Sequence, residues 1–170
     1  MGISVVVPAY NEATRIGAVL APVLASKWVD EVIVVDDGSQ DGTAESARRY
    51  PVQVSSLPVN RGKAAALDHG VCLARNDTFL FLDADLVGLT TEHVDKLISC
   101  HRTKNLDMTI GVFANGRRNT DFAQMINPYA SGQRVLSRKQ WQRAMESVEE
   151  VADVEFGIEI ALSRLAAKED

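Results

Sequence analysis

The sequence predicts an α/β fold with a mostly parallel central sheet flanked by helices, and three observations carry that expectation. Short runs rich in Val, Ile, Leu and Phe, such as "VIVV" (32–35) and "FLFL" (79–82), alternate with segments of helical period. The two quoted runs are apolar throughout, as in strands covered on both faces. Each of the first four runs is followed by a polar loop rather than a tight hairpin turn, as crossover connections require.

In chain order, residues 3–7 read as the first strand, and Asn11 is expected to cap a helix through about residue 24 with Ile16, Val19, Leu20 and Val23 on one face. Residues 31–35 form the second strand. Asp41 then caps a helix to about residue 50, closed by Pro51. A third strand at 52–57, a helix at 63–74 and a fourth strand at 79–82 follow. Residues 91–103 are helical, with Val94, Leu97 and Ile98 at core spacing, and 108–113 read as a strand. Periodicity fails from 114 to 132, which reads as a long loop of the kind that often carries function. Helices at 138–147 and 155–168 complete a chain expected to be one domain over residues 1–170.

Composition narrows the function classes. A net charge of −5 gives no surface suited to nucleic-acid phosphates. No apolar stretch reaches the roughly 20 residues of a membrane helix, and the N-terminus lacks the basic flank of a signal peptide. Cys72 and Cys100 stand alone, without zinc-like spacing, and read as the reduced thiols of a cytoplasmic protein. His69, His93 and His101 show no ligand or triad spacing, and Trp28, Trp141 and Met125 read as packing residues.

In an open α/β sheet the ligand crevice lies beyond the carboxyl ends of the strands. The residues expected there are "PAYNE" (8–12), "DDGSQDGT" (36–43), "NRGKAAA" (60–66) and "DAD" (83–85). Two strands therefore deliver clustered carboxylates to one rim, where repulsion and desolvation disfavour the charged forms unless a cation joins them. Oxygen ligands without Cys or His suggest Mg²⁺ or Mn²⁺, which usually bind one or two carboxylates plus substrate phosphates. A nucleoside diphosphate is the substrate class this predicts. Asp83 and Asp85 lie on one side of an extended segment, and Lys63 opens a helix where backbone N–H groups and an ammonium favour phosphate.

In order along the chain, "VVVPAYNEA", "VIVVDDGSQDGT", "NRGKAAAL", "FLFLDAD" and "SGQRVLSR" (131–138) resemble the family 2 glycosyltransferases of the GT-A fold, a Rossmann-like nucleotide-diphospho-sugar transferase domain, and in particular their polyprenyl-phosphate branch. The resemblance implies that Pro8, Ala9, Tyr10 and Glu12 hold the nucleoside, and that Asp36 and Asp37, followed by Gly38, contact base or ribose. It places Lys63 near the sugar nucleotide. Asp83, Ala84 and Asp85 match the D-x-D element, with Asp83 at the ribose or sugar and Asp85, assisted by Asp83, at the metal. "FGIEIAL" (156–162) looks like the acidic helix of the polyprenyl-phosphate transferases, so Glu159, then Glu155, is expected as the base that takes the acceptor's proton. Arg134, read as a loop residue beside Gln133, is expected at the diphosphate or at an acceptor phosphate.

The implied activity is metal-dependent transfer from a UDP- or GDP-linked sugar to a hydroxyl or a polyprenyl phosphate, with inversion taken from the family alone. Many relatives continue past the point where this chain stops, which allows a minimal soluble enzyme peripheral to the membrane, a fragment, or a homodimer whose partner completes the acceptor site. Three rivals are weaker. A signalling receiver with Asp83 as phosphoacceptor fails because a complete β-α unit precedes "VIVVDD". A nucleotidyltransferase would carry a Gly- and Arg-rich signature after strand one. A silent sugar-nucleotide binder would bind without turnover.

Overall fold

The computed structural model describes residues 2–104, 106–111 and 132–149. Six strands form one sheet in the order β3-β2-β1-β4-β6-β5. Strands β1 (Ser4–Ala9), β2 (Glu31–Asp36), β3 (Gln53–Ser56) and β4 (Thr78–Phe81) are mutually parallel. Beyond β4, strand β6 (Arg134–Ser137) runs antiparallel to it, and β5 (Met108–Ile110) runs antiparallel to β6 at the edge. Helices α1 (Ile16–Leu24), α2 (Thr43–Ala47), α3 (Lys63–Leu73), α4 (Thr91–Lys104) and α5 (Arg138–Glu149) accompany the sheet.

Strand periodicity explains the continuous apolar runs. Val5, Val7, Val32, Val34, Leu80, Leu82 and Val135 point to the face covered by α1 and α4, where they meet Ile16, Leu20, Val94 and Ile98. Their neighbours Val6, Ile33, Val35, Phe79, Phe81 and Leu136 point to the other face, against Leu67 and Val71 of α3 and Trp141 of α5. With helices on both faces, the central strands β1, β2 and β4 leave little room for a polar alternation, whereas the edge strand β3, "QVSS", is exposed at Gln53 and Ser56.

Several local expectations are corrected. Strand β1 runs two residues further than predicted and includes Pro8. The carbonyl of Val6 accepts the N–H of Leu82 from the β4 side, whereas that of Ala9 accepts Asp37 N–H from the β2 side. Pro8 thus faces β4 at a level where pairing with β4 has already ended at Val6, so its missing N–H leaves no gap in the ladder. Asn11 does not cap α1: it adopts φ +56° and turns its side chain to the loop after β2. Helix α2 stops at Ala47, and the N-cap position falls on Gly42, although the Asp41 carboxylate does accept the N–H of Thr43. Strand β6 follows the predicted 114–132 loop, over residues for which no strand is predicted. The expected helix at 155–168, with Glu155 and Glu159, lies outside the described residues, as do Met125 and nearly all of the predicted 114–132 loop.

Candidate active site

A cleft of about 420 Å³ opens at the carboxyl edge of the parallel strands. Its lining brings together Pro8, Ala9, Tyr10 and Glu12 from the end of β1 and the loop after it, Asp37 just after β2, Lys63 from the start of α3, and Asp83, Ala84 and Asp85 from the segment after β4. Asn60, Gly62 and Ala66 complete it. The parallel register sets this convergence. Ala9 pairs with Asp36, and Leu82 follows directly on the Val6–Phe81 pair, so the residues after each strand emerge side by side.

Asp37 is 3% exposed, and its two carboxylate oxygens accept the backbone N–H groups of Arg61 and Gly62, both at 2.8 Å. Charge-assisted bonds of this kind lock the loop after β3 onto the end of β2 and set the starting point of α3. Gly38 follows at φ +74°, where a Cβ would stand 2.7 Å from backbone atoms of Val59 and Asn60. Only glycine suits both that conformation and that approach. Asp36 is also buried and accepts the N–H of Ser39 at 3.1 Å, closing the turn. Neither Asp36 nor Gly38 is among the residues lining the cleft.

The two acids of "DAD" differ. Ala84 is buried with the α1/α4 core while still bordering the cleft, and Asp83 and Asp85 line the cleft on either side of it. Asp83 Oδ1 lies 2.6 Å from Lys63 Nζ, and Oδ2 accepts Gln133 Nε2–H at 2.7 Å. Asp85 is 53% exposed, with Arg15 Nη1 at 3.9 Å from its Oδ2. Of the two, Asp85 is the carboxylate open to an incoming ligand. Arg15 also grips Glu12, with Nε 2.6 Å from Oε2 and Nη2 donating to Oε1 at 2.8 Å. Burial raises the Glu12 pKa above the ordinary carboxylate value; the Arg15 guanidinium opposes this, and the nearby Asp85 charge adds to it.

Among the described residues no group of three or more His, Cys, Asp or Glu side chains forms a ready-made cation cage. The donor set nevertheless fits Mg²⁺ or Mn²⁺, because such ions are commonly held by one or two carboxylates while substrate phosphates and water supply the remaining oxygens. Asp85 would supply that carboxylate.

Arg134 departs from its expected placement. It sits in β6 opposite Phe81 and Ile110, is 1% exposed, and contacts Met108 Sδ through Nη1 at 3.4 Å. It is a buried strand residue, not a solvated loop arginine, and is not among the cleft-lining residues. Its neighbours carry what sequence reasoning missed. Gln133 reaches Asp83, and a Cβ at Gly132 would stand 2.5 Å from Asp83 Oδ2 and 2.6 Å from Lys63 Nζ. Asn60, Gly62 and Ala66 lay inside the quoted "NRGKAAA" and were legible as part of that motif, whereas nothing local marked Arg15.

Fold and cleft together define the class: an α/β domain whose acidic strand ends and the N-terminus of α3 converge on one cleft at the carboxyl edge of the sheet. Residues 4–160 match the model of glycosyl transferase family 2, and the chain belongs to that family. Over 99 residues it is 41% identical to dolichyl-phosphate beta-glucosyltransferase of Drosophila melanogaster, covering 49% of this chain and 30% of that protein. Over 91 residues it is 37% identical to poly-beta-1,6-N-acetyl-D-glucosamine synthase of Staphylococcus epidermidis, covering 51% of this chain and 22% of that one. Glucosyl-3-phosphoglycerate synthase of Mycobacterium tuberculosis, solved with Mn²⁺, UDP-glucose and phosphoglyceric acid, superposes with a TM-score of 0.66 at 28% identity, over 82% of this chain and 57% of that one. The same synthase has also been solved with Mg²⁺ and UDP. The chain thus spans less than a third of the length of these two curated relatives.

Proposed function

We propose that this chain transfers a sugar from a UDP-linked donor, bound with Mg²⁺ or Mn²⁺, to an acceptor hydroxyl or lipid phosphate. The observation that carries this reading is the convergence of Tyr10, Asp37, Lys63, Asp83 and Asp85 on one cleft. Family membership and the UDP, Mn²⁺ and Mg²⁺ complexes of the mycobacterial synthase support it.

Each side chain has a physical part. Tyr10 is 45% exposed beside the cleft and offers an aromatic face to the base. Asp37 holds the loop after β3 so that Lys63 and the N-terminus of α3, an 11-residue helix, face the diphosphate with complementary charge. Asp83, fixed by Lys63 and Gln133, presents an oriented carboxylate to hydroxyls of the ribose or sugar. Asp85 would hold the metal, which when bound would supply positive charge to stabilise the departing diphosphate. A donor phosphate arriving at Lys63 shares the ammonium with Asp83, so donor binding and the ion pair are coupled.

The acceptor decides whether a base is needed. A hydroxyl must lose a proton as the new bond forms, which is the part assigned to Glu159, or else Glu155. A lipid phosphate brings an oxyanion that is already deprotonated. The name of the dolichyl-phosphate relative favours the phosphate, and a polyprenyl phosphate would bring this chain to the membrane surface. No helix among the described residues is long and apolar enough to cross a membrane.

The test is UDP release from UDP-glucose with Mn²⁺ and a polyprenyl phosphate in detergent, with the product anomer read by NMR coupling. A β-linked product and a Glu159→Gln variant that keeps most of its activity are expected. Binding of UDP without transfer to any phosphate or hydroxyl acceptor would contradict the reading and leave a sugar-nucleotide binder.

A further inference from the structure

Of "DDGSQDGT" only Asp37 borders the cleft. Ser39, Asp41 and Thr43 make a different set of contacts. Asn11 N–H donates to Ser39 Oγ at 2.9 Å, Glu12 N–H to Thr43 Oγ1 at 2.8 Å, and Ala13 N–H to Asp41 Oδ2 at 3.0 Å. Thr43, which is buried, donates its own hydroxyl hydrogen bond to Asp41 Oδ1, joining two of these acceptors. In return Asn11 Oδ1 accepts the N–H of Gln40 at 3.0 Å. Residues 11–13 therefore have every backbone N–H bonded to a side chain of the loop after β2 or of the first residue of α2.

Two features show what this brace does. Asn11 is the non-glycine residue with positive φ among those described, a conformation most L-residues avoid and one that needs support from its surroundings. On either side of it stand Tyr10 and Glu12, both lining the cleft. The carbonyl of Glu12 then accepts the N–H of Ile16 at 2.9 Å, so the braced segment runs directly into α1. Three successive N–H groups in a bend could also receive an anionic ligand. Here they are filled from within and bonded to Ser39, Thr43 and Asp41 rather than offered to a ligand.

Building on the donor-site reading above, we infer that Ser39, Asp41 and Thr43 are positioning residues for the donor: they touch no substrate and hold the loop that presents Tyr10 and Glu12 to it. The motif "DDGSQDGT" then carries one cleft residue, Asp37, and three brace residues, Ser39, Asp41 and Thr43.

The test uses the full chain and UDP with Mn²⁺ as probe. Thr43→Val keeps the shape and removes both hydroxyl bonds, whereas Thr43→Ser keeps the hydroxyl. Losing a hydrogen bond or two corresponds to about tenfold weaker UDP binding for Thr43→Val; Thr43→Ser should bind as the unaltered chain does. Ser39→Ala, which leaves the α2 contacts intact, should weaken binding in the same direction. A role confined to stability would not separate Val from Ser at position 43 in Kd once both variants are shown folded by circular dichroism. Amide exchange supplies a second readout: Asn11, Glu12 and Ala13 should be protected in the unaltered chain and exposed in Thr43→Val, with β1 unchanged. UDP binding that persists undiminished in both Thr43→Val and Ser39→Ala overturns this inference alone. Failure of the unaltered chain to bind UDP at all overturns the donor-site reading and this inference together.

Discussion

Gly132→Ala tests the geometry around the Asp83–Lys63 pair with a single methyl group. The added Cβ would stand 2.5 Å from Asp83 Oδ2, 2.6 Å from Lys63 Nζ and 2.7 Å from Asp83 Oδ1, each well inside ordinary contact. Relief by about an ångström forces one partner away, and the 2.6 Å ion pair cannot survive that displacement unchanged. Both clashing groups are far ends of side chains that are 35% and 27% exposed, so the fold can yield at modest expense. Screening by solvent limits the loss from the pair itself to about 1 kcal/mol, which in a chain of this size lowers Tm by roughly 2–4 °C. Donor binding should suffer more, because Lys63 and Asp83 both line the cleft. Displacing a charged hydrogen-bonding group is worth about 1.5–3 kcal/mol, a fall in UDP affinity of about ten- to a hundredfold. Calorimetric titration with UDP and Mn²⁺, beside a thermal melt, reads both quantities. A Gly132→Ala variant with unaltered Tm and unaltered UDP affinity would refute the placement of Gly132 against the pair.

Two further outcomes follow from the packing and charge of the scaffold. Gly70→Ala places a Cβ 2.3 Å from Val6 Cγ1 and 3.2 Å from Val35 Cγ2, both on fully buried β-branched residues, so overpacking of about 1–3 kcal/mol should outweigh the helical gain of alanine and lower Tm by several degrees. At the opposite edge of the sheet, burial alone would raise the Glu31 pKa, but bonds from Ser4 Oγ and from the backbone and side chain of Arg75 outweigh it and hold the carboxyl below its ordinary value. A depressed carboxylate stabilises the fold above its unfolded pKa and loses that contribution as pH falls through the folded one. Glu31→Gln should therefore be less stable than the unaltered chain at pH 7, and the gap should close as pH drops below about 4; a gap independent of pH would contradict the assignment.

How much of this was legible in the sequence depended on whether a signal was local. The runs ending at Val7, Val35 and Leu82 announced buried strands because helices cover both faces, and their carboxyl ends fixed the rim on which Asp37, Asp83 and Asp85 emerge. Strand β6 was missed because four residues, Arg134 to Ser137, carry no period long enough to read. Its identity comes from pairing with Phe81 and Ile110, far away in the chain. Arg134 was misplaced for the same reason. Asn11 has the composition of a helix cap, but its side chain is drawn to Gln40 N–H by a loop that lies 29 residues on. The approach of Gly132 to Lys63 and Asp83 joins three segments by contact alone, and no spacing in the sequence encodes it.

The claim on which the rest depends is that a nucleoside diphosphate and a divalent cation meet at Asp85. Thermal melts of the unaltered chain and of Asp85→Ala, each with UDP, with Mn²⁺ and with both, address it directly, since a ligand that binds only the folded state raises Tm by mass action. The account predicts a rise with UDP that Mn²⁺ enlarges in the unaltered chain, and no enlargement by Mn²⁺ in Asp85→Ala. An equal Mn²⁺-dependent rise in both proteins would contradict it.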